Sequence, residues 1–151
     1  MSGNQSNSNV MRARQAALQM LYARELAGGA PEAIGAWFSA AHPQEAPVAR
    51  RAQELVEMAA SREERIEELI RRHAIGWRLE RISAIDRSLL KLGMAELLLS
   101  PRRSRNHTIQ AVRRLAERYS QPEASGFLAA ILDAMGRELE AARAADEAAL
   151  C

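Results

Sequence analysis

Lysine is almost missing from this sequence: Lys91 stands alone among 21 basic residues, so nearly all the positive charge is carried by guanidinium groups. Cysteine is reduced to Cys151, which excludes an intramolecular disulfide and implies a reducing compartment. Aromatic residues make up 4% of the chain and β-branched residues are sparse, which counts against a sheet-built fold. No apolar run approaches the roughly 18 residues that a membrane span needs. The polar opening SGNQSNSN also lacks the apolar segment of a signal peptide, so a cytoplasmic protein is expected.

Catalytic signatures are scarce in the same way. His42, His73 and His107 are scattered, with no carboxylate at metal-ligand spacing, and His73 falls on the apolar arc of a helix as a core or edge histidine. The adjacent glycines Gly28 and Gly29 sit where a helix should stop, not between a strand and a helix, so no phosphate or dinucleotide loop is read there. Glu63 with Glu64, and Glu67 with Glu68, belong to the charged face of a helix and receive no acid/base role. The expectation is a binding protein, not an enzyme, with no cofactor and no metal.

What is abundant is helix-forming material. Ala, Leu, Arg and Glu dominate, and 48% hydrophobic residues over 151 positions suffice for one buried core, so the fold class is all-α. Residues 1–10 hold little to bury and read as a disordered polar arm. A helix beginning near Met11 sets Ala13, Ala16, Ala17, Met20 and Leu21 on one side, with Leu18, Tyr22 and Leu26 as a second stripe roughly opposite. Such a helix is either central in a bundle or covered by a partner.

Pro31 opens a short helix, His42 to Pro47 is a loop, and a long helical pattern runs from about Val48 to His73. Ser61 and Glu64 have capping-box spacing, so that pattern is either one long helix or two. After a break at Gly76, Ile82 to Leu99 carries Leu at helical spacing, with Glu96 inside the apolar arc; a carboxylate there requires an arginine or backbone donors beside it. Two more helices follow, the last fraying after about Arg143. The organisation expected is an arm over 1–10, a helical domain over 11–143 in two antiparallel groups (about 11–75 and 77–143), and a frayed tail over 144–151, with six or seven helices in all.

The net charge is only +2, but it is unevenly placed. Arg12 and Arg14 head the first helix with no acid nearby, and residues 101–118 hold six arginines against Glu117 alone. Forked guanidinium groups grip phosphates and stack on unpaired bases, which suits single-stranded RNA; taken by charge alone, solvated helix faces explain the patches equally well.

Three ordered blocks sharpen the choice. ARQAALQMLY (13–22), WRLERISAIDRSLLKLGMAEL (77–97), and IQAVRRLAERY (109–119) followed by FLAAILD (127–133) resemble the conserved segments of the NusB family of transcription antitermination factors. The resemblance implies two packed three-helix bundles, a surface for boxA-like single-stranded RNA, and a heterodimer with the ribosomal protein NusE inside the RNA polymerase antitermination complex, promoting ribosomal RNA transcription. By position it implies Arg12, Arg14, Glu123 and Phe127 on the RNA surface, and Tyr22 and Asp86 toward NusE. Tyr22 and Phe127 serve equally as core aromatics, and Asp86 equally as the partner of a neighbouring arginine.

Uncovered Tyr22 and Leu18 imply a homodimer when NusE is absent. The sequence departs from the family pattern where Gln110-Ala111 replaces Asn-Glu, where Ala129-Ala130 replaces Asn-Gly, and where Arg113 takes a usually apolar place. Those losses leave open a protein-only adaptor that binds NusE without specific RNA readout.

Overall fold

The structure, a computed structural model, describes residues 2–76, 78–101 and 103–150, with side chains from Asn7 onward. Trp77 of the second block, Arg102 of the basic connection, Met1 and Cys151 lie outside the described residues. The described residues form seven α-helices: α1 (Ser2–Ala27), α2 (Pro31–Ala41), α3 (Ala46–Ser61), α4 (Glu63–His73), α5 (Ala84–Leu99), α6 (Arg105–Tyr119) and α7 (Ala124–Ala149). A single 3-10 turn, Leu79–Arg81, lies between α4 and α5.

Helix α1 corrects the expectation of a disordered arm, because it is helical from Ser2 and not from Met11. Ser, Asn and Gln are indifferent helix formers, but no proline interrupts them, and lengthening an existing helix carries no nucleation cost. At its other end Gly28 and Gly29 take left-handed conformations (φ +71° and +112°), and Arg24 Nε donates to the Gly29 carbonyl at 3.0 Å. Pro31 then occupies the first turn of α2, where its missing N–H is not needed.

The division after Ser61 is real, but its chemistry differs from the capping box. Arg62 occupies the N-cap of α4 without a side-chain bond, while the Ser61 hydroxyl turns back to donate to the Met58 carbonyl at 3.0 Å. At the far end, α7 remains helical to Ala149 although its exposed last residues bury little; alanine is the residue that gives up least to stay helical.

Helix α5 is the axle of the molecule. It packs against α1 and α3 on one side and against α6 and α7 on the other, and every residue from Ser88 to Leu97 is buried. A helix surrounded on all sides needs an apolar circumference, which Leu89, Leu90, Leu92, Met94 and Leu97 supply. One continuous core therefore runs through both helical groups, from Leu21 and Val56 to Leu128 and Met135.

Two charged side chains interrupt that circumference. Lys91, 2% exposed, places its ammonium among Glu25, Glu63 and Glu67, at 2.9 Å and 3.0 Å from the latter two. Arg87 bonds Glu25 at 3.0 Å and Arg24 bonds Glu63 at 3.1 Å, so three cations and three carboxylates pin α1, α4 and α5 together. Glu96 is the second, and it faces the other way.

A candidate nucleic-acid interface between α1 and α6

Glu96 is 2% exposed and accepts from Arg14 Nε through both oxygens, at 3.0 and 3.2 Å. Arg103, in the connection before α6, approaches the same carboxylate at 3.4 Å. The arginine partner required by a carboxylate in the apolar arc is therefore present, and it comes from α1. Arg14 is itself only 8% exposed. Its Nη2 lies 2.8 Å from Glu96 Oε1 and completes the ion pair.

Arg14 lines a groove between the middle of α1 and the second half of α6. Met11 and Gln15 line its α1 side; Ala111, Arg114, Leu115 and Arg118 line the α6 side. Toward the N-terminal end the groove continues past Asn7, Ser8, Arg103 and His107. Arg114 and Arg118 have no carboxylate partner among the described residues, and the Arg118 guanidinium stands 5.2 Å from the centre of the Tyr119 ring. No carboxylate is among the lining residues, which set arginines and Gln15 among the apolar Met11, Ala111 and Leu115.

Not every arginine of the basic segment faces the groove. Arg105 turns toward α7, where it bonds Asp133 at 2.9 Å and also Glu140, and these carboxylates raise its pKa against the smaller opposing effect of burial. Arg12, two residues from Arg14 and so on nearly the opposite side of the helix, is exposed to solvent.

A sequence model of the NusB family matches residues 11–137. The chain belongs to the NusB family. The transcription antitermination protein NusB of Koribacter versatilis is 34% identical over 133 residues, covering 87% of this chain and 91% of that one. That of Myxococcus xanthus is 37% identical over 124 residues, covering 80% and 89%. Among solved structures, the solution structure of NusB from Aquifex aeolicus superposes with a TM-score of 0.74 at 25% identity, covering 84% of this chain and 88% of that chain. A crystal structure of the antitermination factors NusB and NusE in complex with dsRNA gives 0.77 at 23% identity, covering 87% and 98%, and shares the fold. The expected all-α architecture of NusB type is thus the observed one.

The family-derived positions fall in separate places. Of the four assigned to RNA, Arg14 lines the groove, whereas Arg12 is exposed on nearly the opposite side of α1. Glu123 is exposed immediately before α7, and Phe127 packs half-buried against the core one turn later. Tyr22 is 39% exposed and Leu26 65%, whereas Leu18, expected beside Tyr22 on an open face, is buried. The two-sided apolar pattern of α1 thus has two causes, a central place in the bundle for Leu18 and solvent exposure for Tyr22 and Leu26. Asp86 accepts from the Ser120 hydroxyl at 2.6 Å, tying the start of α5 to the end of α6, where an arginine was the alternative partner. Its backbone N–H takes the Ser83 cap.

Of the departures from the NusB pattern, Gln110 is exposed in the groove and Ala111 forms part of its floor. The groove residues that the motifs did not single out are Arg103, His107, Arg114 and Arg118. The arginine excess over 101–118 was their signal, but only packing against α1 separates them from Arg105.

Proposed function

We propose that this chain is a transcription antitermination factor that binds boxA-like single-stranded RNA together with NusE and so promotes ribosomal RNA transcription in the cytoplasm. The observation that carries the RNA reading is the α1–α6 groove, where Arg103, His107, Arg114 and Arg118 are exposed and no carboxylate is among the lining residues. Such a surface attracts a polyanion, and its arginines suit phosphates and the faces of unstacked bases. Arg12, Glu123 and Phe127 flank the reading as further RNA contacts. No helix of the described residues is long and apolar enough to cross a membrane.

For the partner, Tyr22 with Leu26 offers an apolar strip on α1, and Asp86 is assigned to the same NusE contact by its place in the family motif. The strip also supports self-association when NusE is absent. This is a reading of binding without chemistry.

Filter-binding titrations with a boxA-like single strand, a duplex and an unrelated strand, each with and without NusE, test it. The expected result is affinity that rises with NusE, favours the boxA-like single strand, and falls steeply with salt. Absence of RNA affinity at low salt in the presence of NusE would overturn the RNA reading. Co-purification with NusE that survives Arg114→Gln and Arg118→Gln, in a chain that binds no RNA, would favour the protein-only adaptor, for which the loss of the family's Asn-Gly pair to Ala129-Ala130 speaks.

A further inference from the structure

Between the middle of α1 and the second half of α6 the groove changes character. Met11 and Gln15 stand one helical turn apart on α1, while Ala111, Arg114, Leu115 and Arg118 repeat at the spacing that puts them on one face of α6. Both helices pack on α5 and touch each other little, so the two faces enclose a cavity of about 140 Å³. A single water needs only about 10–15 Å³, so the space is sized for an organic group such as a planar ring.

The lining decides between the parts of a polyanionic strand. Ala111 and Leu115 supply apolar surface, and Met11 is a large apolar side chain left 49% exposed within a basic surface. A phosphate gains nothing from methyl and thioether groups, because its oxygens need donors. The face of a nucleobase fits them, since it is apolar, attracts sulfur and stacks on guanidinium planes. Arg14 is spent on Glu96, so the cations free to cover a base are Arg114 and Arg118, and Arg118 already stands over the Tyr119 ring in this manner.

Gln15 adds the polar element. It is half-buried on the cavity wall, and its side chain makes no hydrogen bond within the described residues. A carboxamide offers donors and an acceptor side by side, which matches the edge of a base. The adjoining stretch of the groove is different, being lined by Asn7, Ser8, Arg103 and His107, and Arg114 borders both stretches. A sugar-phosphate chain thus has a cationic track, and a base has an apolar recess beside it.

We propose that the recess between α1 and α6 is a nucleobase subsite: it takes one unstacked base of the RNA strand against Met11, Ala111 and Leu115, covers it with Arg114 and Arg118, and reads its edge through Gln15. This deepens the RNA-binding reading and rests on it.

Ala111→Leu fills the recess without changing the charge, and Gln15→Ala removes the reader. The test is an abasic scan, in which a labelled boxA-like single strand, stripped of one base at a time, is titrated by anisotropy with NusE present. In the parent, at least one position should lose about tenfold in affinity when its base is removed, the size of one stacked base. In Ala111→Leu the unmodified strand should bind about tenfold more weakly, the abasic penalty at that position should shrink below twofold, and the salt slope should stay the same because no phosphate contact is lost. In Gln15→Ala that position should lose its preference among the four bases, and this variant carries the test if Ala111→Leu does not fold.

A scan with no sensitive position, a folded Ala111→Leu that binds within twofold of the parent, or an abasic penalty unchanged in both variants overturns the subsite and leaves RNA binding in place. A parent that binds neither the boxA-like strand nor an unrelated one at low salt overturns the functional reading, and the subsite with it.

Discussion

At the scale of single residues, Arg14 joins stability to recognition. An Arg14→Ala substitution leaves Glu96 buried with only Arg103, 3.4 Å away, as a charged neighbour. Stripping one member from a buried pair typically costs about 3–5 kcal/mol, chiefly through the stranded charge. Urea denaturation of Arg14→Ala should show a loss of that size, and replacing both partners with Met should recover most of it; an unchanged midpoint for the single variant would count against the pair. RNA assays on Arg14→Ala therefore mix unfolding with lost contact, and Arg114 and Arg118 are the cleaner probes.

The Lys91 cluster sets a pH window by the same logic. Burial of Glu63 would raise its pKa, but the Lys91 ammonium and Arg24 outweigh it and hold the carboxyl below its ordinary value. Its folded-state pKa is depressed, so the stability it contributes is present above the unfolded pKa and is lost as pH falls below about 4.5. Burial of Lys91 would lower its pKa, but the hydrogen bonds it donates to Glu25, Glu63 and Glu67 overcome this and raise it. That contribution is full below the unfolded value near 10.5 and fades as pH rises beyond it. Thermal melts from pH 3 to 11 should show a plateau between these limits, and Lys91→Met should lower the plateau and flatten the alkaline fall. An alkaline limb unchanged in Lys91→Met would show that other groups set it.

At the scale of elements, the contact between α5 and α7 is governed by Gly93. A Cβ added there would stand 2.6 Å from Leu132 Cδ2 and 2.9 Å from Cδ1, and Leu132 is fully buried. Alanine in mid-helix gains about 1 kcal/mol over glycine. Forcing a methyl into a filled core costs about 1–3 kcal/mol, so Gly93→Ala should be net destabilising and lower the melting temperature. A higher melting temperature would mean that Leu132 swings aside at little cost. Helix α1 shows a different element-level effect, since its polar first turns are helical by extension of the packed helix that follows, beyond what their own composition favours.

At the scale of the whole molecule, the helix count, the breaks at Gly28-Gly29 and Pro31, and the apolar stripes of α3, α6 and α7 were legible because they are local, set by spacing and by backbone chemistry a few residues apart. The buried arginine partner of Glu96 was legible as a requirement but not as a residue, since Arg14 lies 82 positions away. Tyr22 and Leu18 looked alike in the sequence, yet α1 buries one and exposes the other. Among the arginines of residues 101–118 nothing in the sequence separated Arg105, consumed by α7, from Arg114, left open to the groove.

The sequence by itself determined the class of fold and the family, because helical periodicity and ordered motifs are properties of the chain in one dimension. Tertiary structure alone decided which charges are spent inside and which remain for a ligand. A guanidinium's partner is whatever the packing of distant helices brings within about 3 Å, and that distance is not written along the chain.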